Sequence, residues 1–493
     1  MPIIIPGTRL ADTGYKIDQS IRFNATDTPK LTRTPSSTGN RDKWTFSAWV
    51  KRGKITDPSG GGGESQVLFT AGNDVNNWTR LAFQTTGGLN TNEVADCFHF
   101  IVQEGGTNTY PAIISTNRLF RDVSAWYHVV AVYDSGNSIA SERIKIYFNG
   151  VRETNFSNTT YPSQNVDSRV NHASTVNRVG AFDLGTNKGH FDGYMAEIQL
   201  LDGYAYDPSY FGETNDNGIW VPKEYTGSYG TNGFHIDGRD SADLGDDESG
   251  NGNDFASSGL ATHDQMADSP TNNHAIMNTL DTHTTPNWTA SNGNLDVSWN
   301  GANYTNHLFS TLSMPSTGKW YFEIKWVSDS SQVLYYQQLR LGIMREDINA
   351  AYIQANTGVQ QTSSGGPEFL VIPGTGSSSS FQGDGANLTS FFSSFSMGDV
   401  LNFARDGTKL WVGKNGTYYN SGDPANGTNA TSSGLELKGY RANMHWTQTS
   451  SSHGTAVVHA FFGADKSIGS GTGFNNTVPT GFKALNTVNL GEA

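Results

Sequence analysis

The chain has 493 residues, more than one hydrophobic core usually organises, so two or three domains are expected. Hydrophobic residues make up 35% and aromatic residues 12%, which excludes a chain that is disordered throughout. The formal net charge of −14 disfavours binding to phosphate groups, so nucleic acid is not an expected partner.

Cysteine content and hydropathy bear on disulfide formation, on membrane insertion and on the compartment in which the chain is made. Cys97 is the single cysteine, so no disulfide can form within the chain, and its apolar surroundings favour core burial over catalysis. No apolar run approaches the roughly 20 residues of a membrane-spanning helix, and membrane insertion is not expected. The first ten residues lack the features of a signal peptide, so synthesis in a bacterial cytoplasm is expected.

Residues 1–19 are predicted to form an extended arm. Two prolines bracket Ile3, Ile4 and Ile5, a pattern typical of an edge strand or a docking segment. A frayed terminus is the alternative. Because exposed isoleucines usually find a partner, these three are the anchoring candidates for contact with other proteins of an assembly.

Residues 20–215 are predicted to form an all-β domain. Segments of alternating hydrophobicity recur and no long helical period appears. The strand WYHVVAVYD at 126–134 is followed by RIKIYFNG at 143–150, and its Asn149-Gly150 pair suits a tight hairpin turn with positive φ.

Four of these segments resemble a known family. TFSAWVKRG, WYHVVAVYD, KIYFNG and FDGYMAEIQLLDGYA are similar, in order and spacing, to the laminin-G-like members of the concanavalin-A-type jelly rolls. The resemblance implies two packed antiparallel sheets. It implies little about function, because that fold serves sugar binding, protein binding and purely structural roles.

Residues 216–284 are predicted to be an ordered, loop-rich connector. Hard cations prefer several oxygen ligands on a chain that bends sharply, so this segment suits Ca²⁺, although no cofactor is required. EF-hand spacing is absent, and a network of Asx turns is the alternative. The metal candidates are Asp243, Asp246, Asp247, Asn251, Asn253 and Asp254.

Residues 285–482 are predicted to form a second β-sandwich, followed by a tail at 483–493. The segment 398–420, GDVLNFARDGTKLWVGKNGTYYN, reads as three short strands. Asp406-Gly407 and Asn415-Gly416 lie between them and suit hairpin turns with positive φ at the central residues. The alternation of apolar residues predicts a sheet with one or both faces covered.

This second domain resembles the SPRY family. The matching elements are Tyr321-Phe322-Glu323, Gly342-Ile343, Gly398-Asp399-Val400, Asp406-Gly407, Lys414-Asn415-Gly416 and Phe474-Asn475. Asn476 stands where the family usually has glycine, and a long polar insertion occupies 349–395. SPRY modules bind partners through variable loops, so the resemblance does not carry a partner with it. The two domains, connector and tail together resemble phage virion proteins.

Catalytic signatures are not found in the sequence. Retaining glycosidases need two carboxylates on one sheet face, whereas the odd interval between Glu197 and Asp202 places them on opposite faces. Glu323 is interpreted as a buried or rim carboxylate paired with a Lys or Arg. Motifs for zinc, a nucleophile elbow and a phosphate loop are also missing, and we predict that the protein is not an enzyme.

The leading functional hypothesis is a structural and adhesive component of a bacteriophage particle, such as a tail fibre or another exposed appendage. A capsid decoration or head-fibre protein and a glycan-degrading enzyme are the alternatives. Aromatic side chains on exposed loops are expected to contact host-surface glycan or protein. The ligand-contact candidates are Trp78, Tyr110, Tyr204, Tyr206, Tyr418 and Tyr419.

The same hypothesis predicts the assembly. The arm is expected to contact other virion proteins, and the chain is expected to form a homo-oligomer, with a trimer favoured. Repetition would multiply weak contacts with the host surface.

Overall fold

The computed structural model describes residues 14–55, 65–84, 95–106, 109–185, 187–281, 288–300, 305–329, 339–348, 368–372, 380–383, 386–388, 391–393, 395–447 and 455–491. Two compact units divide them, one within Ala11–Thr271 and one within Asn272–Ala493. The anchoring candidates Ile3, Ile4 and Ile5 lie outside the described residues.

The regular secondary structure of the first unit is almost entirely β-strand. Short 3-10 turns lie at Ala25–Asp27, Ala140–Glu142, Pro208–Tyr210 and Thr262–Asp264. The strands are β1 (Ser20–Phe23), β2 (Lys30–Arg33), β3 (Lys43–Arg52), β4 (Ser65–Asp74), β5 (Asn77–Gln84), β6 (Cys97–Gln103), β7 (Ala112–Leu119), β8 (Trp126–Asp134), β9 (Ile144–Phe148), β10 (Val151–Arg152), β11 (Phe156–Thr160), β12 (Asn177–Val179), β13 (Ala181–Leu184), β14 (Asn187–His190), β15 (Gly193–Asp202), β16 (Gly212–Thr214), β17 (Trp220–Pro222), β18 (Phe234–Ile236), β19 (Ala256–Ser258) and β20 (Gln265–Met266).

Two eight-stranded antiparallel sheets form the sandwich of the first unit. One has the order β10-β9-β8-β3-β15-β1-β20, with β18 also paired to β15, and the other has the order β11-β7-β6-β5-β4-β12-β2-β19. Aromatic rings from the two sheets pack together in the core: Trp44 stacks on Phe100 at 5.4 Å and Phe46 on Phe69 at 5.3 Å between ring centroids. The predicted all-β sandwich is confirmed.

Residues that we assigned to a connector belong to this first sandwich. β18 pairs with β15, β19 with β2 and β20 with β1. These segments join the sandwich because it buries their hydrophobic side chains. Phe234, Ile236 and Phe255 lie in its core and are at most 1% exposed. The connector at 216–284 is therefore largely an integral part of the first unit.

The second unit is also composed of strands. Its described residues have 3-10 turns at Tyr419–Ser421 and Gly469–Gly471 and a helical turn at Thr487–Leu490. The strands are β21 (Trp288–Ser291), β22 (Asp296–Asn300), β23 (Thr305–Met314), β24 (Lys319–Asp329), β25 (Leu339–Arg345), β26 (Glu368–Ile372), β27 (Ser380–Gly383), β28 (Ala386–Leu388), β29 (Val400–Asp406), β30 (Lys409–Lys414), β31 (Thr417–Tyr418), β32 (Tyr440–Thr447), β33 (Thr455–Phe461) and β34 (Lys483–Ala484).

Two sheets organise the second unit. One follows β21-β22-β33-β24-β29-β30-β31 and the other β23-β32-β25-β26-β27-β28. Arg405 of β29 connects them, since it donates to Met314 O at 2.6 Å and lies over the Tyr440 ring at 4.7 Å. β34, from the predicted tail, pairs in parallel with β24, so part of the tail belongs to the sheet.

The predicted hairpin turns are confirmed in two places and corrected in one. Asn149-Gly150 has φ of 49° and 78°, and Asn415-Gly416 has φ of 51° and 80°. Asp406 instead pairs with Lys409 at the end of β29, so the two-residue loop is Gly407 and Thr408. Only the glycine of that loop adopts positive φ, at 56°.

Candidate functional site

The outer face of the β8-β3-β15 sheet is covered by the chain that follows β15. Val130, Val132 and Leu201 pack there against Phe211 and Tyr225. Antiparallel sheets commonly leave one face to water, whereas this sheet is buried on both faces. The covering segment, residues 203–230, therefore forms part of the surface of the unit, and it contributes aromatic side chains to that surface.

Three tyrosines of this segment form a stack. The rings of Tyr204 and Tyr206 lie 5.3 Å apart at 29°, and those of Tyr206 and Tyr210 lie 4.0 Å apart at 7°. Tyr206 thus stacks on both neighbours and has no open ring face to offer. Tyr210, which was not among the sequence candidates, is 43% exposed and ends the stack.

Local hydrogen bonds hold the exposed end of the stack. The Asp207 carboxylate caps the turn Pro208–Tyr210 by accepting from Ser209 N at 2.8 Å and from Ser209 Oγ at 2.6 Å. Lys223 Nζ donates to Ser209 O at 3.1 Å. The turn that carries the exposed Tyr210 ring thus also carries a hydrogen-bonded carboxylate and hydroxyl group, and an ammonium group contacts its main chain.

The remaining ligand-contact candidates are less available than predicted. Trp78 lies in β5 and is 3% exposed, because Phe182 packs edge-on against it at 5.2 Å. Tyr110 packs at the edge of Trp78 at 6.4 Å. Trp78 is therefore corrected to a buried strand residue. The alternation within NWTRLAF does not reveal that the hairpin of β13 and β14, which carries Phe182, covers the outer face of β5.

The two tyrosines of the second unit are also partly covered. Tyr419 stacks on Phe391 at 4.2 Å, so one of its ring faces is occupied. Tyr418 is half-buried, and burial together with the nearby Glu323 carboxylate raises the pKa of its hydroxyl.

The metal candidates of the connector form a hydrogen-bond network. Asp247 Oδ1 accepts from His235 N and Oδ2 accepts from Asn253 N, both at 2.8 Å. The amides of Asn251 and Asn253 donate to Gly233 O at 3.0 and 2.7 Å. Asx turns are present as well, since Asp243 Oδ1 accepts from Gly245 N at 3.2 Å and Asp247 Oδ1 accepts from Ser249 N at 3.0 Å. Among the described residues, no group of three or more His, Cys, Asp or Glu is arranged to hold a metal ion.

The two carboxylates of β15 have separate partners. Glu197 occupies a bulge with φ of 51°, and its Oε2 atom lies 2.9 Å from His235 Nε2. Asp202 accepts from the main-chain N–H groups of Asn40 at 2.7 Å and Asn232 at 3.0 Å. They do not converge on a shared space, which a retaining glycosidase pair requires.

A buried serine–histidine pair also lies on the covered sheet face. Ser47 Oγ is 2.9 Å from His128 Nε2, and Trp220 Nε1 donates to His128 Nδ1 at 3.0 Å. Because an indole N–H can only donate, Nδ1 must accept, and the neutral ring carries its proton on Nε2. His128 therefore donates to Ser47 and cannot remove its proton. Burial lowers the pKa of His128 to about 3.

Glu323 in β24 is the most extensively hydrogen-bonded carboxylate of the second unit. Its side chain is fully buried and accepts from Tyr321 Oη at 2.6 Å and Asn402 Nδ2 at 3.1 Å. Asn475 N donates to Oε2 at 2.7 Å, and Asn476 N donates to Oε1 at 3.0 Å. In the described part of the chain no Lys or Arg pairs with it, which corrects the expected ion pair.

These contacts join the elements that carry the SPRY-like motifs. Asn402 Oδ1 accepts from Gly416 N at 2.8 Å, so the Asn415-Gly416 turn is tied indirectly to Glu323. The segment at Asn475 and Asn476 reaches the same carboxylate from the other direction. Glu323 therefore fixes three distant segments and contributes to structure rather than to proton transfer.

Comparison with known proteins identifies the fold of the first unit. Residues 25–205 match the family described as the concanavalin A-like lectin/glucanases superfamily. A comparison with curated proteins found no match. Within the described residues, no helix has the length and apolar character to cross a membrane.

Solved structures show only weak overall similarity. A heptameric SAP-like pentraxin from Limulus polyphemus is 17% identical, with 38% of this chain and 78% of that chain covered and a TM-score of 0.26. Domains LG4-5 of the mouse laminin alpha1 chain are 8% identical, with 90% and 89% covered and a TM-score of 0.27. The enzymatically active domain of bacteriophage CBA120 tailspike protein 2 is 13% identical, with 39% and 28% covered and a TM-score of 0.24.

The family match and the sheet order together define a class. The first unit is a β-sandwich that is similar, over residues 25–205, to the laminin G-like, concanavalin A-like lectin fold. This assignment concerns the fold, on which binding and catalytic proteins are both built.

Replacing Glu323 by Gln is expected to destabilise the second unit by about 3 kcal/mol, because the new amide would face buried N–H and O–H donors. Urea unfolding measures the change. Glu346→Gln is the matched control, since Glu346 is exposed. Equal stabilities of the two variants would contradict the structural role of Glu323.

His128 should make the first unit sensitive to acid. Its pKa is about 3 in the folded chain against 6.5 when unperturbed, so the unfolded state binds more protons between these values. Stability is thus lost as pH falls through this window, by up to about 1.4 kcal/mol per pH unit. His128→Gln should show a shallower loss in denaturant unfolding followed against pH. Parallel curves for the two proteins would be inconsistent with a buried neutral histidine.

Proposed function

We propose that the protein is a non-enzymatic, adhesive component of a bacteriophage particle, a tail fibre or another exposed appendage that contacts host-surface glycan or protein. The observation that carries this proposal is the exposed end of the tyrosine stack, where Tyr210 is 43% exposed. A large aromatic ring held at the surface of a lectin-type sandwich is suited to contact with a ligand.

The chemistry around Tyr210 fits a sugar. The C–H face of a pyranose packs on an aromatic ring, and its hydroxyl groups hydrogen-bond to neighbouring polar groups. Here those groups are the Asp207 carboxylate, the Ser209 hydroxyl and the Lys223 ammonium. The stack and the capped turn hold the ring before a ligand arrives, which reduces the entropy lost on binding.

A non-enzymatic role is supported by the state of the reactive side chains. Glu197, Asp202 and Glu323 each make hydrogen bonds within the fold. The Nε2–H group of His128 donates to Ser47, so His128 has no acceptor nitrogen facing that hydroxyl. These three carboxylates and His128 are thus engaged in holding the fold.

The phage assignment rests on the resemblance of the two domains, connector and tail to phage virion proteins. The second unit would be an SPRY-like module, and Ile3, Ile4 and Ile5 would anchor the chain to other virion proteins through strand addition. A homo-oligomer, with a trimer favoured, would repeat the Tyr210 surface and raise its weak affinity through avidity.

Replacing Tyr210 by Ala should weaken binding to host cells by about tenfold, because an aromatic contact contributes about 1 kcal/mol or more and avidity multiplies it. Binding is measured by sedimentation of the labelled protein with cells and by competition with phage adsorption. Ile139→Ala is the control, since Ile139 is 59% exposed and lies outside the stack.

Unchanged binding by a folded Tyr210→Ala protein would contradict this contact surface. If the unaltered protein neither binds host cells nor competes with adsorption, the adhesive role is wrong. A role in decorating the capsid then becomes the favoured one.

A further inference from the structure

Lys51 and Asp268 form an ion pair that is completely enclosed in the first unit. Lys51 Nζ lies 2.7 Å from Asp268 Oδ2, and both side chains are 0% exposed. Lysine is almost never fully buried, and neither the fold nor the proposed function accounts for this pair.

Aromatic side chains flank the pair on both neighbouring strands. In the sheet register Lys51 lies opposite Trp126 of β8 and Tyr194 of β15. Lys51 Nζ is 5.6 Å from the centre of the Tyr194 ring. Trp126 Nε1 donates to Asp268 Oδ1 at 3.1 Å. The carboxyl group is thus oriented with one oxygen toward an N–H donor and the other toward the amine.

The low-polarity surroundings disfavour the charged form of Lys51. Burial lowers the pKa of Lys51, while Asp268 and Asp122 oppose that shift. Transfer of one proton from the ammonium to the carboxylate removes two buried charges at once. The products of this transfer are a neutral amine and a carboxylic acid, which are the forms that can condense.

We propose that Lys51 and Asp268 condense to an intramolecular isopeptide bond. The Nζ lone pair attacks Asp268 Cγ, and the negative charge that develops on Oδ1 faces the Trp126 N–H. Oδ2 then leaves as water and takes two protons with it, one from the transfer within the pair and one more from Nζ. The ammonium and carboxylate become one amide and one water, with no oxidant, metal or co-reactant.

The bond would join the central strand β3 to the end of the first unit. Lys51 and Asp268 are 217 positions apart, so the covalent loop would span most of that unit. Cross-links over long loops limit the unfolded chain most strongly. Cys97 is the single cysteine, so a disulfide cannot supply this constraint. An amide bond is also insensitive to reducing conditions.

Mass spectrometry of the full-length protein tests the proposal. The folded protein should be lighter than its sequence mass by one water, and a protease digest should contain the Lys51 peptide joined to the Asp268 peptide. Lys30 and Asp183 provide an internal control, since they lie 2.5 Å apart with side chains 25% and 20% exposed. Their peptides should remain separate, because that pair is partly open to water.

Lys51→Arg keeps a positive charge but cannot form the amide, so its protein should have the full sequence mass. An unaltered protein that keeps its full mass and yields separate peptides after prolonged incubation in the folded state overturns the proposal. The same conclusion follows if the mass loss persists in the Lys51→Arg protein, because the water then comes from another site.

Discussion

The first unit depends on the burial of β15 on both of its faces. All ten residues of this strand are buried, and it pairs with β3, β1 and β18. One face packs into the sandwich core and the other lies beneath residues 203–230. Because water is excluded from both faces, each polar group there must find a partner within the protein or destabilise the fold. Glu197, with His235 beside it, satisfies this requirement, as does Ser47 with His128.

The same constraint positions the surface that we propose to be functional. Residues 203–230 cover the sheet with Phe211, Tyr225 and Tyr229, and the tyrosine stack that ends at Tyr210 packs against this layer. Tyr210 is therefore fixed by a fold requirement and not by a flexible loop. In the second unit Glu323 has a comparable organising role, because donors from separate segments of the chain converge on its buried side chain.

Much of the fold could be predicted from the sequence. Local signals are sufficient for alternating strands and for Asn-Gly turns, since period-two hydrophobicity and positive φ are properties of neighbouring residues. Contacts between distant residues are not available in this way. Glu323 lies 152 positions from Asn475, and its strand gives no indication that amides rather than a lysine would reach it. For the same reason the core role of Phe234 and the burial of Trp78 were not predicted.

The central claim is that this protein is an exposed, adhesive appendage of a phage particle, and its location tests that claim most directly. Immunogold labelling of intact purified particles, read by electron microscopy, distinguishes the possibilities. We expect label at the tail or at another projecting structure, in few copies per particle. Label spread over the capsid would contradict the appendage role, and particles without label would contradict a virion role altogether.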